Sequence, residues 1–125
     1  MAISLWCVLV AALLPVLTTG LAKVGAAYDN ARPRESSANL SGWRARAHAA
    51  HLNAFEAFPL FAAAVLIAVT QGAPQATVDT LAIGWVIARL AYLGCYLADQ
   101  ATLRSAVWTV AFFLAIAIMT APAWA

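Results

Sequence analysis

Five polar side chains stand inside long apolar runs, where charged and polar types mark a candidate functional site. Asn53 and Glu56 lie in one run, and Arg89, Tyr92 and Tyr96 in another. Positions three or four apart share one face of a helix. One stripe therefore reads Arg46, Ala49, Asn53, Glu56, and a second reads Trp85, Arg89, Tyr92, Tyr96, Asp99. A charge inside a membrane span is costly, so such residues face the protein interior, find a partner there, and mark function. Depth names the partner. Glu56 lies about ten residues beyond Arg46, roughly 15 Å at the helical rise, and Arg89 is about equally far from Asp99. Antiparallel neighbours bring the two level, so an ion pair between Glu56 and Arg89 near mid-membrane is expected. Neither stripe stays polar beyond Glu56 or Trp85. The expected shape is a polar cleft, open at one end and closed at the other by apolar packing.

The elements that must hold these groups follow from composition. Hydrophobic residues make up 65% of the 125 and charged residues 10%, against roughly 45–50% and about 25% in soluble domains. About 20 apolar residues cross a bilayer as a helix. The chain has room for four crossings in a single domain, residues 1–125. The runs predict helices over about 3–22, 47–69, 78–98 and 103–119, with a polar loop over about 23–46. Spans of this length exclude strands, and a helix satisfies its backbone internally, as lipid requires. The fold class is all-α, a four-helix transmembrane bundle. Lys23, Arg32, Arg34, Arg44 and Arg46 flank the first loop, and Arg104 lies on the same side. The positive-inside rule places that side in the cytoplasm and both termini outside. No basic residue precedes the first apolar run, so it reads as a retained helix rather than a cleaved signal.

Other chemistries find little support. His48 and His51 lack partners for a metal, and none is expected; His51 reads as a polar group near the membrane surface. Cys7 and Cys95 read as reduced core thiols. No phosphate-binding loop or nucleophile–base array is present, and the small net charge of +2 argues against nucleic acid. Ala47, Ala50, Ala54 and Ala57 form a second, all-small stripe, a face suited to close helix approach and a candidate seam between subunits.

The motifs in order resemble those of the MAPEG family, the membrane-associated proteins in eicosanoid and glutathione metabolism, and in particular its small bacterial members. The first loop reads Tyr28-Asp29-Asn30-Ala31-Arg32-Pro33-Arg34. The second run reads Asn53-Ala54-Phe55-Glu56 followed by Pro59, close to the family's Arg-Ala-x-x-Asn-x-x-Glu. The third carries Arg89, Tyr92 and Tyr96, and Arg104-Ser105 opens the fourth. The resemblance covers the whole chain. It implies a homotrimer in a bacterial inner membrane, with glutathione as co-substrate in a cytoplasm-facing cleft between neighbouring subunits and a small hydrophobic substrate arriving from the lipid. It carries ligand-binding roles onto Asn53, Glu56, Arg89 and Tyr96; Tyr92, on the same stripe, joins them as a ligand-binding candidate at a position where other members have His or another polar residue. Arg104 becomes the candidate catalytic cation that holds the thiol as thiolate, the nucleophilic form. The sequence departs from the family at Ala49, where the motif arginine stands, and Arg46 one turn earlier is the candidate substitute.

Three readings remain open. The first is a glutathione-dependent transferase or peroxidase. The second is a non-enzymatic membrane protein of the same fold, its polar stripe kept for helix packing and trimer assembly. The third is a transporter subunit using Glu56 as a proton-linked carboxylate, a reading that the apolar outer halves of both stripes disfavour.

Overall fold

The structure, a computed structural model, describes all 125 residues. Five helices follow one another: α1 Ile3–Lys23, α2 Pro33–Ala38, α3 Gly42–Thr70, α4 Gln75–Leu97 and α5 Ala101–Trp124. All but α2 are long and apolar enough to cross a membrane. The expected all-α bundle is the fold that forms.

The largest departures from the expected boundaries are three, each with a local cause. The short α2 forms inside the expected loop, with Pro33 in its first turn, where a missing N–H costs nothing. α3 begins at Gly42 rather than about 47, because its first turns bring Arg44 and Arg46 onto carbonyls of other helices. α5 runs to Trp124 rather than 119, and Trp124 Nε1 donates to Thr120 Oγ1 at 3.1 Å on the same face.

Two tight turns join the last three helices. After α3, Gly72 has φ +76°; Gly72 N–H donates to the Val69 carbonyl and Ala73 N–H to the Ala68 carbonyl. After α4, Asp99 takes the same left-handed conformation, φ 58°; Asp99 N–H donates to Tyr96 and Gln100 N–H to Cys95. Both are Schellman closures. The second fixes how Tyr96, before the turn, meets Arg104 after it.

The core is built from small residues around a few large ones. Phe61 of α3 lies flat on Trp85 of α4, centroids 3.8 Å apart. Val65, Val78 and Ile118 are fully buried beside them, and alanines at 64, 68, 82, 111, 115 and 121 fill the rest. Small side chains let membrane helices approach closely. α1 packs chiefly on α3, and α4 on α5. Ala47, Ala50 and Ala54 are buried within this single chain. The small stripe does meet other helices, but they belong to the same protomer, which corrects its reading as a seam between subunits.

α1 has no capping side chain of its own at its start, and neighbouring helices supply one at each end. Asp79 of α4 accepts the Ser4 N–H at 2.8 Å. Gln75 steadies that carboxylate, donating to Asp79 Oδ1 at 2.7 Å. At the other end, Arg44 of α3 donates from Nε and Nη2 to the Val24 carbonyl at 3.0 and 2.9 Å. An anion at a helix N-terminus and a cation at its C-terminus both match the helix dipole. Gly25 is required beside the second contact: its φ is +68°, and a Cβ there would stand 2.9 Å from Arg44 Nη2.

The two ends of α1 are roughly 30 Å apart at the helical rise and share no partner. Asp79→Ala and Arg44→Ala should each cost about 1 kcal/mol, and the double variant the sum of the two. Unfolding in detergent checks this; a strongly non-additive double would show that the two contacts do not act as separate caps.

Candidate functional site

α3, α4 and α5 enclose a cleft of about 210 Å³. Its polar end is set by Asn53, Glu56 and Arg89, and its apolar end by residues of all three helices. A second, shallower hollow shares Asn53 and Trp108 with it and is bordered by Tyr92 and Arg104. Together they form a path from the α4–α5 turn into the bundle. The proline at 59 follows this polar segment within α3.

Arg89 dominates the site. Its side chain is only 2% exposed. Nη2 donates to Asn53 Oδ1 at 2.7 Å. The guanidinium carbon lies 4.3 Å from the Tyr92 ring centre and 6.0 Å from that of Trp85. Each such cation–aromatic contact contributes about 0.5–2 kcal/mol, more when desolvated. Asn53 then passes the connection on, donating from Nδ2 to Glu56 Oε2 at 3.4 Å. The expected direct ion pair between Glu56 and Arg89 is therefore corrected. The two are level, as helix geometry requires, but the Asn53 amide stands between them. An amide does this well because it accepts at one end and donates at the other.

Two polar groups in this cluster are left with capacity. Arg89 Nε is buried without a partner. Glu56 is exposed to the cleft and meets no cation within salt-bridge distance; the one such pair in the chain is the surface contact of Arg32 with Glu35. At the mouth, Arg104 is held over the Tyr96 ring, 4.4 Å from its centre. Tyr96 in turn meets Tyr92 edge-on, centroids 5.6 Å apart. A chain of aromatic faces thus runs from Arg104 inward to Arg89.

Asn53, Glu56 and Arg89 line the cleft and Tyr92 and Arg104 the adjoining hollow, while Tyr96 lines neither and packs between Arg104 and Tyr92. Arg46 is apart from both. Its Nη2 donates to the Leu97 carbonyl at 3.2 Å, closing the C-terminus of α4. His51 is also engaged elsewhere: Nδ1 lies 2.7 Å from the Pro15 carbonyl. A carbonyl only accepts, so Nδ1 carries the proton, and the bond ties α3 to α1. The α5 wall, Trp108, Ala111, Phe112 and Ala115, was not singled out from sequence. Its signal is present in the numbering: Arg104, Trp108, Ala111 and Ala115 recur at helical spacing. No polar residue after Arg104 marks that face as internal.

The family model described as "MAPEG family" matches residues 3–124. No curated protein and no solved structure matches the chain.

The Arg89–Asn53 bond should carry most of the stability of the cluster. Asn53→Leu should cost about 3 kcal/mol, since it leaves a buried cation without its acceptor. In a double-mutant cycle with Arg89→Met, the coupling should reach about 1.5–3 kcal/mol. The same cycle between Glu56→Gln and Arg89→Met should give less than about 1 kcal/mol. Denaturant unfolding in detergent measures both; the reverse order would restore the direct ion pair.

Proposed function

The chain belongs to the MAPEG family and is an integral membrane protein, and from that membership we propose that it binds glutathione in the cleft of α3, α4 and α5. The observation that carries the reading is the pair of unmatched groups of opposite sign. A buried guanidinium keeps a free Nε–H, and Glu56 faces the same cleft with no cation. A zwitterion matches both. Glutathione has carboxylates, one ammonium group and a thiol, and the family is associated with it.

The roles divide by position. Glu56 takes the ammonium group. Arg89 and Asn53 offer donors to a carboxylate or carbonyl. Tyr92 lines the way in, and Tyr96 supports it and Arg104 from behind. Arg104, at the mouth, holds the thiol as thiolate, because a nearby cation lowers a thiol's pKa. The reaction is conjugation of a hydrophobic electrophile, or reduction of a hydrophobic peroxide, reaching the cleft from the lipid. The cytoplasmic face is the one bearing Arg44, Arg46 and Arg104, the membrane is a bacterial inner membrane, and the working unit is a homotrimer. The departure at Ala49 removes one cation from the family pattern. Arg46 does not replace it in the cleft, since it is bound to Leu97, so the affinity for glutathione is expected to be low.

The packing reading has one observation in its favour. Arg89 is already stabilised by Asn53 and two aromatic faces, which is sufficient reason for the stripe to exist without a ligand. Calorimetry separates the two. With glutathione, the wild type should show saturable heat at millimolar ligand, and native mass spectrometry should show a trimer. Arg104→Ala should weaken binding about ten- to hundredfold, the equivalent of one charge-assisted hydrogen bond of about 1.5–3 kcal/mol. Ala49→Arg should tighten it. Silence from both wild type and Ala49→Arg, with both proteins folded and trimeric, leaves the packing reading standing.

A further inference from the structure

We infer that a basic recess between α1, α2 and α3, on a different face of α3 from the cleft, holds the headgroup of an anionic phospholipid, its phosphate on Lys23 and Arg34. The inference does not rest on the glutathione reading.

The recess measures about 430 Å³ and is lined by the end of α1, the connection that follows it, α2 and α3. No carboxylate lines it. Neither of its cations is paired, since the one ion pair in the chain joins Arg32 to Glu35, outside the recess. Lys23 is held over the Tyr28 ring, 4.5 Å from its centre, a contact that positions the ammonium group without neutralising it. Hydroxyl groups are also left free. Thr18 returns its hydroxyl to the Leu14 carbonyl at 2.7 Å, whereas Thr19, Tyr28 and Ser37, which line the recess, bond no partner within the chain through theirs. His48 adds a buried Nδ1 with no partner. His51 gives its Nδ1–H to the Pro15 carbonyl, which leaves Nε2 as an acceptor. Two cations and three free hydroxyls suit a phosphate, because charge-assisted hydrogen bonds are the strong ones. The His51 Nε2 suits a hydroxyl on the same headgroup.

Its position favours a lipid over a soluble anion. The general excess of cations on one side of a membrane accounts for their level, but not for their convergence on one recess with unused hydroxyls. Basic pockets between membrane helices are a recurrent site for anionic headgroups. Towards the membrane the lining turns apolar and open. Leu52, part of the recess, is 49% exposed, and Phe55, one turn beyond His51 and edge-on to its ring, is 54% exposed. Val16, one turn before Thr19 on α1, is exposed as well. An acyl chain lying along these residues stays in lipid while its phosphate reaches Lys23 and Arg34.

The test is native mass spectrometry of the whole protein in mild detergent, titrated with phosphatidylglycerol or with phosphatidylcholine of the same acyl chains. Wild type should retain one phosphatidylglycerol per chain, with apparent affinity at least tenfold above that for phosphatidylcholine. Lys23→Gln and Arg34→Gln should each weaken phosphatidylglycerol about fivefold, the contribution of one cation near an anionic headgroup, and the double variant at least tenfold. Phosphatidylcholine should bind all of them alike. Arg34 is exposed, so its variant decides the matter if Lys23→Gln fails to fold. Arg32→Gln removes an equal charge from the same loop but outside the recess, and should change affinity less than about twofold. Ser37→Asp places a carboxylate in the recess and should weaken phosphatidylglycerol at least tenfold. Dihexanoyl phosphatidylglycerol should displace the long-chain lipid, whereas inorganic phosphate or glutathione at the same concentration should not. Equal retention of the two lipids, or equal losses in Arg32→Gln and Arg34→Gln, overturns the site. Displacement by inorganic phosphate assigns the recess to a soluble anion, and displacement by glutathione assigns it to the glutathione site; either overturns the lipid assignment.

Discussion

One buried cation organises this molecule. Arg89 lies in the middle of a span, where water cannot solvate it, and a charge there is tolerated only with partners. The structure supplies a short hydrogen bond donated by Arg89 to the Asn53 amide oxygen and aromatic faces from Tyr92 and Trp85. Glu56, the formal counter-charge, stands one amide further away. This arrangement stabilises the guanidinium while leaving the carboxylate free. A direct ion pair would have been closer to self-sufficient, with less capacity to respond to a ligand.

The rest of the fold keeps that cluster in place. α3 and α4 must approach closely enough for Asn53 to reach Arg89, and the Phe61–Trp85 stack with its alanine surroundings allows it. Polar contacts at the helix ends then set the rotation and depth of each helix. Asp79 and Arg44 close the two ends of α1, Arg46 closes α4, and His51 holds α3 to α1. Membrane helices gain little from hydrophobic burial against one another, because lipid is as apolar as they are. Directional contacts at the ends therefore have a larger share in fixing the geometry than they would in a soluble bundle.

Much of this was legible in the sequence because helices translate spacing into faces. The four spans follow from runs of apolar residues. Asn53, Glu56, Arg89, Tyr92 and Tyr96 could be gathered from period and matched depth; Arg104 came to the site only through the family resemblance. The error over Glu56 and Arg89 has a physical origin. Depth fixes the level of two side chains to within about a turn, roughly 5 Å, whereas a hydrogen bond is decided within a few tenths of an ångström. Asn53 and Glu56 occupy one face at almost one level, and only the actual rotamers decide which of them meets the guanidinium. Arg46 misled for a related reason: its long side chain can reach either the cleft or the exposed end of α4, and the free carbonyl of Leu97 is nearer. The α5 wall stayed hidden because Trp108, Ala111 and Ala115 are apolar residues on an apolar helix, with no polar alternation to separate the inner face from the lipid face. The closure of α1 by Asp79 joins positions far apart in the chain, which no local pattern reveals.

The central claim is that the cluster which shelters Arg89 is also the cluster that receives the ligand. Side-chain NMR of the protein in bicelles, with labelled arginine and glutamate, tests it most directly. Resonances are assigned by Arg89→Met and Glu56→Gln. Without ligand, the Arg89 Nη protons should exchange slowly with water, since the guanidinium is buried and bonded to Asn53. As glutathione is added, the Arg89 Nε–H and the Glu56 carboxylate should shift together along one saturable curve. Arg89 protons that exchange at the rate of a solvent-exposed arginine, or a titration that moves Arg104 while leaving Arg89 and Glu56 untouched, would contradict the account.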